Sequence, residues 1–188
     1  MKREVLEGIV EITQKEFQDD RGSFMESFNS KQFNNSLKKN ITFVQDNLSI
    51  SKKGVFRGLH FQYEFPQAKL VSVLSGEILD IVVDLRKSSK TFGDWCTFEI
   101  SSKNNKQIFI PEGFAHGFVA LENETKVSYK CTEFYAPNSE QSLKWNDEDL
   151  AIDWGVENPQ ISTKDLGAES FRDFESPFVE NKLKKRLY

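Results

Sequence analysis

The chain has 188 residues, of which 38% are hydrophobic and 29% charged, with a net charge of −4. That length supports one domain with a sizeable core and is short for two, so a single domain over 1–188 is expected. The acidic balance excludes wholesale nucleic-acid binding. The start, "MKREVLEGIV", has no long apolar run of a secretory leader, and no segment approaches the roughly 18 apolar residues of a membrane span. A cytoplasmic protein with no membrane partner is the expectation. The only cysteines, Cys96 and Cys131, form no CxxC pair; both lie in apparent strands and read as buried thiols of a reducing compartment.

In chain order, "GIVEITQKEFQDDRGSFMESF" predicts two short strands around a turn at Asp19-Asp20-Arg21-Gly22. "NSKQFNNSLKKN" predicts a short helix with Phe33 and Leu37 four apart on one face. From Ile41 to Thr132 the hydrophobic period is mostly two, and "FVQDNLSIS", "GVFRGLHFQ", "KLVSVLSGEILDIVVDLRK", "GDWCTFEISS", "KQIFIP", "HGFVALEN" and "TKVSYKCTEF" are strand candidates. So many short strands argue an all-β sandwich or barrel. In "EILDIVVDLR", Leu79, Ile81, Val83 and Leu85 share an apolar face, while Asp80 and Asp84 stand among Ile78 and Val82 on the other, which suits a mixed cavity wall. The 17 phenylalanines suggest a broad core or a lined cavity.

After Ala136 the period is lost. "WNDEDLAIDW" offers Asn146 as a helix cap followed by acidic residues, and "STKDLGAES" offers Ser162 or Thr163. "ESPFVENKLKKRLY" has Ser and Pro at a helix start and cations at its end; the basic cluster at 182–186 reads as a solvated helix end.

The chain has two histidines. His60 lies in the strand "FRGLHFQ". It is either a core histidine satisfied by a nearby carbonyl or a general base in a cavity. Arg57, Gln62 and Lys69 nearby favour a site, because buried cations need partners. Residues 57 and 60 have opposite parity, so Arg57 and His60 reach one cavity only if Gly58 marks a bulge or twist. His116, in "IPEGFAHGF", reads as a turn residue at a pocket rim. Two distant histidines do not complete a transition-metal shell, so no metal is expected. Tyr129, in "VSYKC", is either packing or a general acid. With no glycine-rich phosphate loop, a phosphate ligand requires cations such as Arg21, Arg57, Lys69 and Lys164.

The segments "RGLHFQ", "KLVSVLSGEILDIVVDLRKSSKTFG", "IPEGFAHGF", "YKCTEFYAP" and "WNDEDLAIDW", in this order, resemble the dTDP-4-dehydrorhamnose 3,5-epimerase family from about Phe17 to Asp165. The resemblance implies a cupin-type β jelly roll with short peripheral helices and an N-terminal arm. It implies a homodimer that works without metal or organic cofactor on a nucleotide-linked 4-keto-6-deoxy-hexose. Through the resemblance, His60 is the base, Asp165 the aspartate that orients it, Tyr129 the proton donor, and Lys69 the cation near the C4 oxygen. His116 lines the sugar site. Arg57 and Lys164 bind chiefly the diphosphate. Gln45, Asp46 and Asn47 hold nucleotide and sugar, Tyr135 stacks on thymine, and Glu140 is a further contact. Arg21 and Glu26 match arm positions that reach the partner subunit's site. This chain departs from the family pattern at Ser72, where arginine is common, at Phe134, and in "QIFIP"; none of these removes a catalytic group. Alternatives are a 3-epimerase or 3,5-epimerase of another nucleotide-linked deoxysugar, and a non-catalytic cupin binding a sugar or nucleotide.

Overall fold

The computed structural model of the chain describes residues 6–179. Strands dominate: β1 (Val10–Thr13), β2 (Glu16–Asp19), β3 (Gly22–Met25), β4 (Gln45–Ser51), β5 (Phe56–Gln62), β6 (Lys69–Ser75), β7 (Glu77–Asp84), β8 (Trp95–Ser101), β9 (Lys106–Ile110), β10 (Phe114–Ala120), β11 (Thr125–Cys131) and β12 (Glu140–Ser142). Two helices accompany them, α1 (Ser30–Leu37) and α2 (Thr163–Leu166). Two five-stranded antiparallel sheets form, ordered β1-β9-β6-β11-β4 and β12-β5-β10-β7-β8, with β2 and β3 as a separate hairpin. This is the expected all-β jelly roll, with the chain crossing between the sheets at each step from β4 to β12 except between β7 and β8. Among the described residues no helix is long and apolar enough to cross a membrane.

Period-two patterning puts three apolar layers in place. Between the sheets lie Val71, Val73, Ile108 and Val127 from one and Ile78, Val82, Phe98, Phe114 and Phe118 from the other. The outer face of the second sheet, including Leu59, Ile81, Val83 and Leu85, is covered by Trp154, Phe174 and other residues of the C-terminal third. Phe33 of α1 packs with Leu70 and Phe109 on the outer face of the first sheet. Fully burying one such side chain is worth about 1.5–3 kcal/mol. Most of the phenylalanines thus serve the broad core, through contacts such as Phe56 to Trp154 (4.6 Å, edge-on) and Phe33 to Phe109 (5.4 Å).

The hairpin turn over Asp19 to Gly22 and helix α1 form as expected, the latter capped by Asn29, whose Oδ1 accepts from Gln32 N at 3.1 Å. Three expectations are corrected. Asn146 caps no helix: Asp147 Oδ1 instead accepts from Asp149 N and Leu150 N (both 3.0 Å), closing a single turn. Ala151 then turns left-handed (φ 46°) and ends it, so that Ile152 and Trp154 reach the apolar layer. His116 is no turn residue; it lies within β10 and is buried, because the turn is confined to the residues before Phe114. Ser176 to Val179 are not helical; Ser176 Oγ donates to Leu85 O and Lys87 N to Phe178 O, which straps the segment against the end of β7. The rest of that expected helix, with the basic cluster, lies outside the described residues.

Candidate active site

At one end of the space between the sheets, polar side chains replace the apolar core. Lys69, Tyr129, Gln45, Asn47 and Ser49 come from the first sheet, and Arg57, His60 and His116 from the second. They border a cavity of about 550 Å³ and an adjoining lobe of about 290 Å³ that shares His60, Lys69, Tyr129, Tyr135 and Glu140 with it. Residues 160–165 of the C-terminal third close one side.

The parity problem of β5 is solved by a bulge. On β10, His116 pairs with His60 and Phe118 with Arg57, so Gly58 and Leu59 stand opposite the single residue Gly117. Arg57 and His60 therefore both face the cavity, while Phe56, Leu59 and Phe61 face the outer layer. Gly58 has φ 137°, and a Cβ there would lie 2.5 Å from Gly117 Cα and 2.9 Å from His116 O. Only glycine meets both conditions.

His60 Nε2 lies 2.6 Å from Asp165 Oδ1. Asp165 is held by its own helix: Ser162 caps α2, its Oγ accepting from Asp165 N at 3.1 Å. Burial pushes the Asp165 carboxyl up, but the hydrogen bond and charge of His60, Ser162 and the charge of Lys164 together hold it below the usual aspartate range. The carboxylate engages Nε2 of the imidazole and leaves Nδ1 outside that contact. A second pair lies alongside: His116 Nε2 is 2.6 Å from Asp80 Oδ2, and Asp80 is fully buried on β7 with Oδ1 unpartnered.

Burial lowers the Lys69 ammonium below the usual lysine value, against the opposing pull of Cys131, Glu140 and Asp80. Burial raises the Tyr129 phenol, aided by Cys131 and Glu140 and opposed by Arg57, so the phenol keeps its proton at neutral pH. A protonated phenol and an enclosed cation are the complements a base needs for moving protons at a carbon beside a carbonyl. Among the described residues, no three His, Cys, Asp or Glu side chains converge as a metal site.

The remaining expected residues divide. Arg57 Nε donates to Ser51 Oγ at 3.1 Å, bridging the two sheets at the cavity wall. Gln45 and Asn47 line the smaller lobe. Gln45 Oε1 accepts from Tyr135 N at 2.8 Å and fixes the loop carrying that ring. Tyr135 and Lys164 both hydrogen-bond Glu140. Asp46 is not brought into the cavity: it is exposed on the opposite face of β4 and pairs with Lys130 at 3.0 Å. Arg21 sits at the hairpin tip paired with Asp19, and Glu26 accepts from Asn29; both are exposed and border no part of this cavity. Ser72 and Leu70 lie on the outer face of β6, so the departure at Ser72 is remote from the chemistry. Both cysteines are buried and neither forms a disulfide. Asp80 and Gln62, which the sequence puts on the mixed wall and beside His60 without a defined role, act as supports. Gln62 donates to Phe65 O and Phe134 O and accepts from Ala136 N, anchoring the Tyr135 loop; the signal for Asp80 was its parity on the mixed face of β7.

A family model described as dTDP-4-dehydrorhamnose 3,5-epimerase matches residues 3–173. The chain belongs to this family. Membership makes it an isomerase. The dTDP-4-dehydrorhamnose 3,5-epimerase of Methanothermobacter thermautotrophicus is 49% identical over 172 residues, covering 89% of this chain and 92% of that one. A crystal structure of the Legionella pneumophila dTDP-6-deoxy-D-glucose-3,5-epimerase in complex with dTDP-4-keto-L-rhamnose superposes with a TM-score of 0.87 at 45% identity, covering 90% of this chain and 91% of that one. A 3'-monoepimerase from Streptomyces bikiniensis in complex with dTDP-quinovose is also similar, at TM-score 0.88 and 28% identity over 95% of this chain and 92% of that one.

Proposed function

We propose that the protein inverts C3 and C5 of dTDP-4-dehydro-6-deoxy-D-glucose to give dTDP-4-dehydro-L-rhamnose, for dTDP-L-rhamnose biosynthesis. The observation that carries the reading is the His60–Asp165 pair facing a cavity shared with Lys69 and Tyr129. Both protons removed are α to the C4 ketone, so each departure leaves an enolate. His60 takes the proton through Nδ1, and Asp165 stabilises the imidazolium that results. Lys69 balances the negative charge that gathers on the C4 oxygen. Tyr129 returns a proton to the opposite face at each carbon; between the two inversions, as after the second, the His60 imidazolium gives its proton up to solvent and the Tyr129 phenolate takes one back. His116, held by Asp80, lines the sugar pocket. Arg57 and Lys164 grip the diphosphate, Gln45 and Asn47 hold nucleotide and sugar, and Tyr135 stacks on the base.

The chain acts, on this reading, as one cupin-like domain in the cytoplasm, as a homodimer. Support for the dimer comes from exposed apolar side chains: Leu48, Ile50 and Leu74 on the outer face of the first sheet, and Phe17 and Phe24 on the hairpin. Such a hairpin, with Arg21 at its tip and Glu26 at its base, is suited to reach a partner's site, and Asp46 on the outer face of β4 is available to the same interface. The reaction needs no metal or organic cofactor, because the C4 ketone already acidifies both positions. His60→Ala should abolish solvent deuterium incorporation at both carbons while leaving dTDP binding within a few-fold. Substantial exchange in that variant removes His60 from the role of base.

A further inference from the structure

Glu140 is a carboxylate at the mouth of the cavity, next to the groups that would hold an anionic ligand. It opens β12 opposite Gln62 of β5, and its side chain is only 14% exposed. One of its oxygens, Oε2, receives both the Tyr135 hydroxyl at 2.8 Å and the Lys164 ammonium. Burial works to raise the Glu140 carboxyl, but the hydrogen bonds of Lys164 and Tyr135 and the charges of His60 and Lys164 hold it below the usual range. Lys164 directly precedes Asp165 on α2, so this ion pair also ties the helix of the dyad to the edge of the second sheet.

A negative charge here opposes a nucleoside diphosphate, yet its two partners are the ones assigned to diphosphate and base. We propose that Glu140 is an internal stand-in for the diphosphate: it holds Lys164 and Tyr135 in place while the site is empty, and gives up Lys164 to the entering phosphates. The proposal rests on the reading that Arg57 and Lys164 form a diphosphate site. It differs from a simple contact between Glu140 and ligand in the sign of its effect. A contact residue weakens binding when lost; a competing counter-ion strengthens it. Glu140→Gln keeps an oxygen that can accept from Tyr135 and removes only the charge.

The test is calorimetric titration of the full-length wild type, Glu140→Gln, Lys164→Met, the double variant and Arg57→Ala with thymidine diphosphate. Glu140→Gln should bind roughly threefold to tenfold more tightly, the range expected for removing one partly screened charge a few ångströms from the phosphates. Lys164→Met should bind more weakly. In the Lys164→Met background the gain from Glu140→Gln should shrink to twofold or less, because no lysine is left to hand over. Unchanged or weaker binding by Glu140→Gln, with Arg57→Ala also weakened, overturns the stand-in role while the diphosphate site survives. Full affinity in Arg57→Ala overturns the diphosphate site itself, and the proposal with it.

Discussion

The bulge at Gly58 is what brings Arg57 and His60 into one cavity, and Gly58→Ala perturbs it directly. Two costs add there. Holding a non-glycine residue at φ 137° costs on the order of 1–3 kcal/mol. The new Cβ also meets backbone rather than a flexible side chain, at 2.5 Å from Gly117 Cα and 2.9 Å from His116 O, and such overpacking costs about 1–3 kcal/mol more. The sum, about 2–6 kcal/mol, should lower Tm by roughly 4–24 °C in a domain of this size. Relief requires β5 and β10 to part, which moves both His60 and His116, so kcat/KM should fall at least a hundredfold in the protein that remains folded. Gly54→Ala is the control: Gly54 has φ 79° but nothing within 4 Å of a Cβ, so it isolates the backbone cost. Differential scanning calorimetry and steady-state turnover read both effects. Equal Tm losses in the two variants, with turnover intact in Gly58→Ala, would refute the reasoning.

Two further outcomes follow from the geometry. Tyr129→Phe should slow epimerisation at least tenfold while wash-out of substrate protons into solvent persists, as mass spectrometry can follow; unchanged turnover would remove Tyr129 as the acid. Asp84→Asn should destabilise the fold by about 3 kcal/mol in urea titration, because Arg86, Ser89 and Thr91 all lose a buried anion. Burial raises the Asp84 carboxyl, but Arg86 first, then Thr91 and Ser89, hold it below the usual range. Its stabilisation is therefore present above about pH 4 and is lost as pH falls through the lowered native value. A variant with the same acid limb as the wild type contradicts this.

Much of the fold was legible because period-two alternation survives from Ile41 to Thr132, where every expected strand forms. An irregularity at Gly58 was legible too, because two polar residues of opposite parity flanked one glycine; that it is a bulge and not a twist comes from the pairing with β10. Long-range pairing was not. His60 and Asp165 are 105 residues apart, and His116 and Asp80 are 36 apart; no local pattern joins them, and Asp165 was reached only through the family resemblance. The same resemblance grouped Asp46 with Gln45 and Asn47, although parity alone puts it on the opposite face of β4, where it lies. The expected helix after Asn146 failed because Asp147 could close its turn alone and the apolar residues beyond it were needed in the outer layer.

The central claim is that one base, one acid and one enclosed cation serve two carbons flanking the same ketone. Incubation of the wild-type protein with dTDP-4-dehydro-6-deoxy-D-glucose in deuterated water, followed by NMR at C3 and C5, tests it directly. The account predicts deuterium at both carbons with inversion at both. Label and inversion at C3 alone would contradict it and favour the monoepimerase-like alternative; binding with no label at either carbon would contradict every enzymatic reading of the site.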